Sequence, residues 1–577
     1  MKILSLHCDY IKFKPVKKAL KDAKELAEKD KKEKEVREAL VIFTAVESSD
    51  NEKIVDVLVE NIKDIASQVK AETIVLYPYA HLSSQLAKPE LAENVLVEAE
   101  KKLSKEKGFK VIRAPFGYYK EFELKCKGHP LAELSRELHV EEGKAIVKEP
   151  EITDEIRKRL LREISKTKLD TSKLKENDHR ILGQKLDLFS FNEVAPGMVF
   201  WHNNGLIIFN ELEKYWREEH KKAGYEEIST PQIMDAKLWK ISGHWDKYKE
   251  NNFITKYEGR DFLVKPMNCP GGMLVFKTRP RSYKELPMRV GELGKVHRTE
   301  LSGVLAGLFR VIQFTQDDAH IFCTEEQLES EIIGVIELFK KMLGKFGFKD
   351  YKFSLSVRSE EKKDKYLGDD KLWKKAEDNL GNALKKLKIS FERCPGEAKF
   401  YGPSLDVLIK DSLGREWQCS TLQLDFNIPQ RFEVTYTGPD NKEHVPIMLH
   451  RVVYGSLERF IGVLLENTNG NLPVWLSPIQ ARVLSFTDRN LKAAGKVLEA
   501  LKNAGIRADS DFNPDTINEK VRNAELMKIP YIITIGDKEE QSNTIALRER
   551  GQGNKPIFDM KIEDFIRKVK EEIEKRL

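Results

Sequence analysis

Over residues 1–142, apolar positions fall in short runs of strand length at 3–6, 39–46 and 73–77. Stretches with helical spacing of apolar residues separate them, at 52–69 and 84–107. A hairpin is predicted around residues 116–127. The alternation predicts a compact α/β domain over residues 1–142. Between 143 and 177, Lys and Glu dominate and apolar positions thin out, which predicts a helical linker. A larger block, 178–470, contains an amphipathic helix over 205–223. Ile208, Leu212, Tyr215 and Trp216 share one of its faces, and Gly224 is placed to end it. A strand is predicted next, over 225–230, ending on Pro231. After Leu472-Pro473, strands at 482–486, 531–535 and 544–548 alternate with helices at 491–504 and 562–577, a second α/β pattern over 471–577. The chain shows no internal repeat and no low-complexity segment.

At roughly 150 residues per domain, 577 residues predict three or four domains. A hydrophobic content of 40% excludes a disordered or fibrous chain. No apolar stretch approaches the ~20 residues of a membrane span. The N-terminal residues meet charge quickly and read as a strand, not a signal peptide. Six cysteines without tight clustering point to a reducing compartment, the cytoplasm. Lys plus Arg number 99 against 93 Asp plus Glu, a net +6 that permits a polyanionic partner without requiring one. Charged residues reach 33%, above the roughly 25% of average proteins, a pattern seen in thermophiles.

The chemistry concentrates in the middle block, in three segments. The first is the amphipathic helix, Gly224, the strand and Pro231. The second is Arg298-Thr299-Glu300, a glycine-containing loop from Ser302 to Gly307, and a returning strand holding Arg310. The third is Gly455-Ser456-Leu457-Glu458-Arg459, opening an apolar helix. Each alone is common, and each arginine alone is an ordinary surface ion pair. In this order and spacing they resemble motifs 1, 2 and 3 of the class II aminoacyl-tRNA synthetases, whose catalytic core is an antiparallel sheet. The resemblance implies ATP with Mg2+, with Arg298 facing the α-phosphate and the amino-acid carboxylate. Arg459, at a helix N-terminus, would face the γ-phosphate, and Glu300 with its loop would hold the adenine side.

Local sequence narrows the resemblance. Phe314-Thr315-Gln316-Asp317-Asp318-Ala319-His320-Ile321-Phe322, Met267-Asn268-Cys269-Pro270, Phe400-Tyr401-Gly402-Pro403, Trp417-Gln418-Cys419 and His450-Arg451 resemble the threonyl-tRNA synthetases, archaeal type. That family implies one Zn2+ held by Cys269, His320 and His450. Their spacing is not that of a zinc finger, and without the resemblance they read as a buried free cysteine and two satisfied histidines. Three protein ligands leave the open position of a functional zinc. A period of two places Gln316, Asp318 and His320 on one strand face, and Cys419, Thr421 and Gln423 on another. The resemblance implies that L-threonine binds the zinc through its amino and hydroxyl groups, with Asp318 accepting from the hydroxyl. Tyr401, Gln418, Cys419, Thr421 and Gln423 would complete the substrate site. Two departures are visible: the second arginine usual in motif 2 is Ile312, and Gly396-Glu397-Ala398-Lys399 differs from the usual Gly-Asp-Gly.

Zinc excludes valine but not serine, and binding alone leaves a discrimination of only about 10–200-fold. A hydrolytic editing site is the expected remedy. Residues 1–142 resemble the archaeal editing domain, which has the fold of D-aminoacyl-tRNA deacylases, through His7-Cys8-Asp9-Tyr10, Ala80-His81-Leu82-Ser83-Ser84, Phe116-Gly117-Tyr118-Tyr119-Lys120 and Gly128-His129-Pro130-Leu131-Ala132-Glu133. His81, Tyr119, Lys120 and Glu133 are the candidates for holding seryl-tRNA and a water, and Lys120 reads equally as a solvated strand lysine. Cys8 reads as a small buried hydrophobe and not as a nucleophile. Residues 471–577 resemble the anticodon-binding domain of class II synthetases. Arg548 and Arg550 alternate on one strand, facing either anticodon bases or solvent on a basic edge strand. The implied partners are tRNA(Thr), ATP and L-threonine, and motif 1 implies a homodimer. A non-catalytic tRNA-binding regulator and a free-standing deacylase are the competing functions.

Overall fold

The computed structural model describes residues 1–577 apart from 21, 84, 107, 130, 139–153, 165–173, 244, 246–251, 349–350, 411–413 and 554. Ser84 and Pro130 of the editing motifs and much of the expected linker 143–177 lie outside the described residues. Inside that linker a helix is present at Asp154–Ile164. The chain divides into two units, Met1–Ile152 and Thr153–Leu577.

The first unit is a mixed sheet in the order Lys110–Arg113, Thr73–Pro78, Lys34–Ala45, Lys2–Lys18, Tyr118–Cys126, with Glu133–Glu137 also pairing to Lys2–Lys18. Lys34–Ala45, Thr73–Pro78 and Lys110–Arg113 run parallel, so each connection needs a crossover helix. Ile54–Val69 and Pro89–Lys105 supply those helices. They bury Leu58, Ile62, Ile65, Leu96, Ala99 and Leu103 on one sheet face. The first strand runs 17 residues, far beyond the predicted 3–6, because its alternating pattern continues through Ile11 and Phe13 with strands pairing on both sides. The predicted hairpin at 116–127 is instead one strand, Tyr118–Cys126, paired antiparallel with Lys2–Lys18. The reversal sits earlier, at Gly117 with φ +77°, and no Gly, Pro or Asn lies within the strand to turn it back.

The second unit is built on an eight-stranded sheet. Its order is Phe391–Pro395, Tyr351–Val357, Ser404–Lys410, Glu416–Asp425, Ile447–Ser456, Gln313–Cys323, Met288–His297, Glu226–Glu227. Pairing is antiparallel except for the outermost strand at each edge. The predicted amphipathic helix is present as Asn203–Lys222, burying Ile208, Leu212, Tyr215 and Trp216, and Gly224 takes φ +76° just past its end. The strand predicted at 225–230 shortens to Glu226–Glu227 because the Thr230 N–H leaves the ladder for the Glu292 carboxylate, 2.8 Å away. Leu328–Lys345 and Leu457–Thr468 pack on the sheet. Fully burying a side chain such as Phe339 or Phe460 contributes about 1.5–3 kcal/mol.

The same unit carries a five-stranded sheet, Ala508–Asp511, Ala481–Ser485, Tyr531–Ile535, Ile545–Glu549, Ile557–Met560. Helices Leu491–Asn503 and Ile562–Lys575 bury Leu501, Phe565 and Val569 against it. Ile545–Glu549 is therefore an inner strand and not the exposed edge considered for Arg548 and Arg550. Among the described residues no helix is long and apolar enough to cross a membrane.

Candidate active site

A cleft of about 420 Å³ opens on the eight-stranded sheet. Register explains which side chains reach it. Gln423 of Glu416–Asp425 lies opposite His450 of Ile447–Ser456, which lies opposite His320 of Gln313–Cys323. One step along, Thr421, Val452 and Asp318 form the next cross-strand row on the same face. Gln316 and Asp318 share the cleft lining, as the period of two predicted.

Cys269 begins the helix Cys269–Phe276, and its sulfur joins His320 and His450 with all three donor atoms within 4.8 Å of one another. All three residues are buried. His320 Nε2 has no hydrogen-bond partner, an orphan that a bound cation would satisfy. His450 donates through Nε2 to Asp425 at 2.9 Å, so Nδ1 is the nitrogen left for a ligand bond. Burial lowers the His320 pKa to about 4, against the opposing pull of Asp318, so its imidazole is neutral at pH 7. Burial, then the Asp318 and Asp425 charges, push the Cys269 thiol well up. A divalent cation reverses that balance by stabilising the thiolate. A buried Cys-His-His set with a carboxylate behind one histidine fits Zn2+ and leaves a position open.

The cations sit along the same cleft. Arg298 follows the strand Met288–His297, donates from Nε to Pro266 O at 3.1 Å and lies over the Phe314 ring. Arg459 stands in the first turn of Leu457–Thr468, where the Ser456 side chain caps the helix. Its Nε donates to Phe309 O at 3.0 Å. Burial lowers its pKa. Glu300 lines the cleft and pairs with Arg310 at 2.8 Å, while Arg310 itself is half exposed. Arg310 does not sit on the returning strand: that strand starts at Gln313, and the chain first turns through Gly307–Phe309. Ile312 is buried, packed over Gly197 and bonded to it through its N–H.

Tyr401, Gln418, Cys419, Thr421 and Gln423 all line the cleft. Strict alternation would send Gln418 and Cys419 to opposite faces. A bulge makes room for both, because Val407 pairs with Ser420 and Leu408 with Gln418, leaving Cys419 unpaired. Tyr401 hydrogen-bonds the Gln423 side chain. Gln418 Nε2 donates to Thr421 Oγ1 at 2.9 Å, and the buried Asp406 accepts from both. Sequence reasoning missed Asp406, Asp425, Asn268, whose amide reaches Asp318 at 3.3 Å, and Asp317. Asp317 accepts from the N–H groups of Val453, Tyr454 and Gly455 and holds the bulge that precedes Arg459. Burial raises its pKa to about 7, opposed by Arg451 and those N–H groups.

Residues 1–138 match the family described as the archaea-specific editing domain of threonyl-tRNA synthetase. Residues 252–468 match the class II tRNA synthetase core domain (G, H, P, S and T), and 476–572 the anticodon binding domain. A threonyl-tRNA synthetase RNA-binding domain from Cryptosporidium parvum is 39% identical, with a TM-score of 0.66, over 68% of this chain and 98% of that one. The chain belongs to the threonyl-tRNA synthetases. The Aeropyrum pernix protein named threonyl-tRNA synthetase ThrRS-1 is 30% identical, with a TM-score of 0.62, over 69% of this chain and 96% of that one. The threonine–tRNA ligase of Acetivibrio thermocellus is 50% identical over 402 residues, 70% of this chain. The chain spans 62% of the length of that curated relative.

In the segment matching the threonyl-tRNA synthetase editing domain, a cavity of about 400 Å³ is lined by His81, Tyr119 and Lys120. Lys120 Nζ donates to the carbonyls of Pro115 and Tyr118, both at 2.9 Å, and lies over the Tyr77 ring. Burial lowers its pKa to about 8. Glu133 does not line this cavity; it pairs with Leu6 across the sheet. Cys8 is fully buried, with burial pushing its pKa to about 12. In the anticodon-type domain, Arg550 lies beyond the end of Ile545–Glu549 and donates to the carbonyls of Lys528 and Leu472, both at 2.5 Å. Arg548 remains on the strand, half-buried.

Proposed function

We propose that this chain ligates L-threonine to tRNA(Thr) through a threonyl-adenylate and hydrolyses mischarged seryl-tRNA(Thr) in its N-terminal unit. One observation carries the ligase function: Cys269, His320 and His450 meet beside Asp318 in a cleft that also holds Arg298 and Arg459. A non-catalytic RNA binder has no use for that combination.

Cys269, His320 and His450 hold Zn2+, with Asp425 orienting His450. When bound, the zinc supplies a Lewis-acid position for the amino and hydroxyl groups of threonine. Asp318 accepts the hydroxyl proton in a hydrogen bond, and the Asn268 amide holds Asp318 in place. Valine offers no such hydroxyl and leaves Asp318 without that donor in a desolvated site, a loss larger than one missing methylene. Tyr401 and Gln423 close over the amino-acid side, with Gln316, Gln418, Cys419 and Thr421 completing the wall. Arg298 orients the carboxylate against the α-phosphate of Mg-ATP. Arg459 holds the γ-phosphate at the helix N-terminus, and Glu300 with Arg310 borders the adenine side. The threonine carboxylate oxygen attacks the α-phosphorus, the pyrophosphate bond breaks, and pyrophosphate leaves.

Serine retains both zinc-binding groups, so hydrolysis in the N-terminal unit completes the selection. There Lys120 stabilises the oxyanion that develops as water attacks the ester, with His81 and Tyr119, which line the same cavity, assigned to the seryl ribose and the water. Residues 471–577 bind the anticodon stem-loop, with Arg548 as the candidate contact, since Arg550 is committed to the Lys528 and Leu472 carbonyls. Residues 143–177 link the editing domain, 1–142, to the catalytic domain, 178–470. The chain works as a cytoplasmic homodimer. Charging of tRNA(Thr) with labelled threonine tests the whole: threonyl-tRNA forms with the intact chain, and seryl-tRNA accumulates only with Lys120→Ala. Absence of threonyl-tRNA formation contradicts the ligase function, and unchanged seryl-tRNA hydrolysis moves editing elsewhere.

A further inference from the structure

A second cluster of metal-binding residue types, Asp178, His179 and Glu466, also brings its donor atoms within 4.8 Å. Its bonds assign it another role. His179 Nδ1 donates to Glu466 at 2.8 Å, and His179 Nε2 accepts the Leu308 N–H at 3.0 Å, so both ring nitrogens are committed. Glu466 also accepts from Arg415 at 2.8 Å. Asp178 takes the Arg180 N–H as the cap of helix His179–Lys185. His179 and Glu466 are only 1% and 2% exposed, which leaves them no solvent to replace these partners.

The imidazole shapes the turn Gly307–Phe309. Its ring lies 4.2 Å from the Phe309 ring, and Gly307 adopts φ +56° against it. A Cβ on Gly307 would stand 2.3 Å from His179 Nε2, so only glycine lets the turn close on the histidine. The carbonyl at the end of this turn, Phe309 O, is the one that accepts from Arg459 Nε at 3.0 Å. A buried histidine outside the three motifs is thereby joined to the motif 3 arginine through one turn of backbone.

We propose that His179 is a positioning residue for ATP, fixing the Gly307–Phe309 turn so that the Phe309 carbonyl aims the Arg459 guanidinium into the cleft. The role rests on the ligase function above, which assigns Arg459 to the γ-phosphate. The effect is transmitted by the Leu308 bond and the ring contact, not by any contact of His179 with substrate.

Two substitutions separate the arms of the imidazole. His179→Asn keeps a donor for Glu466 and removes the acceptor of the Leu308 N–H. His179→Gln extends an acceptor to the Nε2 position and gives up the Glu466 bond. In threonine-dependent ATP–pyrophosphate exchange, His179→Asn lowers kcat/KM for ATP about 10-fold with the threonine KM unchanged, while His179→Gln stays near the parent. In an Arg459→Ala background, His179→Asn has no further effect, because the two act as one unit. Should His179→Asn lose its cooperative melt, Gly307→Ala displaces the same turn and shows the same ATP-specific loss. An active parent with His179→Asn equally active, with equal losses in both Arg459 backgrounds, or with ATP and threonine KM rising together, overturns the positioning role alone. A parent without any exchange overturns the ligase function and this role with it.

Discussion

His450 is held by Asp425: its Nε2 donates to a fully buried carboxylate 2.9 Å away, whose other oxygen accepts the N–H groups of Asn427 and Ile428. A ring fixed in this way presents one nitrogen to a metal in one orientation. Asp425→Ala should therefore weaken zinc binding about 10–100-fold without removing any ligand. Competition against a chromogenic chelator reads this directly, and an unchanged affinity would leave Asp425 a purely structural acid.

Asp318 lies beside the Cys269, His320 and His450 cluster, 3.8 Å from His320 Nε2, and accepts from the Asn268 amide at 3.3 Å. Asp318→Ala should reduce kcat/KM for threonine about 10–150-fold, the value of one charge-assisted hydrogen bond. It should also narrow the gap between threonine and valine. Steady-state exchange with each amino acid measures both, and an unaltered threonine-to-valine ratio would remove Asp318 from discrimination.

If Lys120 acts in seryl-tRNA hydrolysis as proposed, its buried setting should make that hydrolysis sensitive to pH. Its pKa is lowered to about 8, so the ammonium is present below that pH and is lost as pH rises through it. Seryl-tRNA hydrolysis should fall across the same range, after correction for spontaneous hydrolysis. Lys120→Met should be slow and lack this limb. A rate independent of pH between 7 and 9 in the parent, about one unit to each side of the lysine pKa, would exclude the cation from the reaction.

Arg550 is committed to two backbone carbonyls, and its pKa is lowered by burial. Arg550→Ala should cost stability, about 1.5–3 kcal/mol for the loss of charge-assisted hydrogen bonds. Arg548→Ala should instead weaken tRNA(Thr) binding with the melting temperature unchanged. Thermal melts and filter binding on both variants check this. The opposite assignment, Arg550→Ala with a normal melt and weak tRNA binding, would restore the expected alternation.

The helical and strand periods make much of this architecture legible before any coordinates. Gln316, Asp318 and His320 reach one face because a strand alternates, and Gly224 ends its helix because only a left-handed residue fits there. The convergence of Cys269 with His320 and His450 has no local pattern; strand register sets the two histidines side by side and the start of the helix Cys269–Phe276 brings in the cysteine, and the family likeness pointed to it. Gln418 beside Cys419 contradicts alternation, since a bulge re-aims them. Asp317, Asp406, Asp425 and His179 look like ordinary polar residues in the sequence. Their partners, largely backbone N–H groups and distant side chains, become visible only when the sheet is assembled. Glu133 and Arg550 carry motif-like neighbours, yet Glu133 pairs with Leu6 outside the lining of the N-terminal cavity, and Arg550 is tied to carbonyls.

ATP–pyrophosphate exchange with threonine, serine and valine, run on the parent and on Cys269→Ala alongside metal analysis, tests the central claim most directly. The ligase function with zinc-based selection predicts one zinc per parent chain, exchange with threonine, weaker exchange with serine and none with valine. It predicts loss of both metal and exchange in Cys269→Ala. Exchange with valine comparable to threonine, or full threonine exchange in a metal-free Cys269→Ala chain, would contradict it.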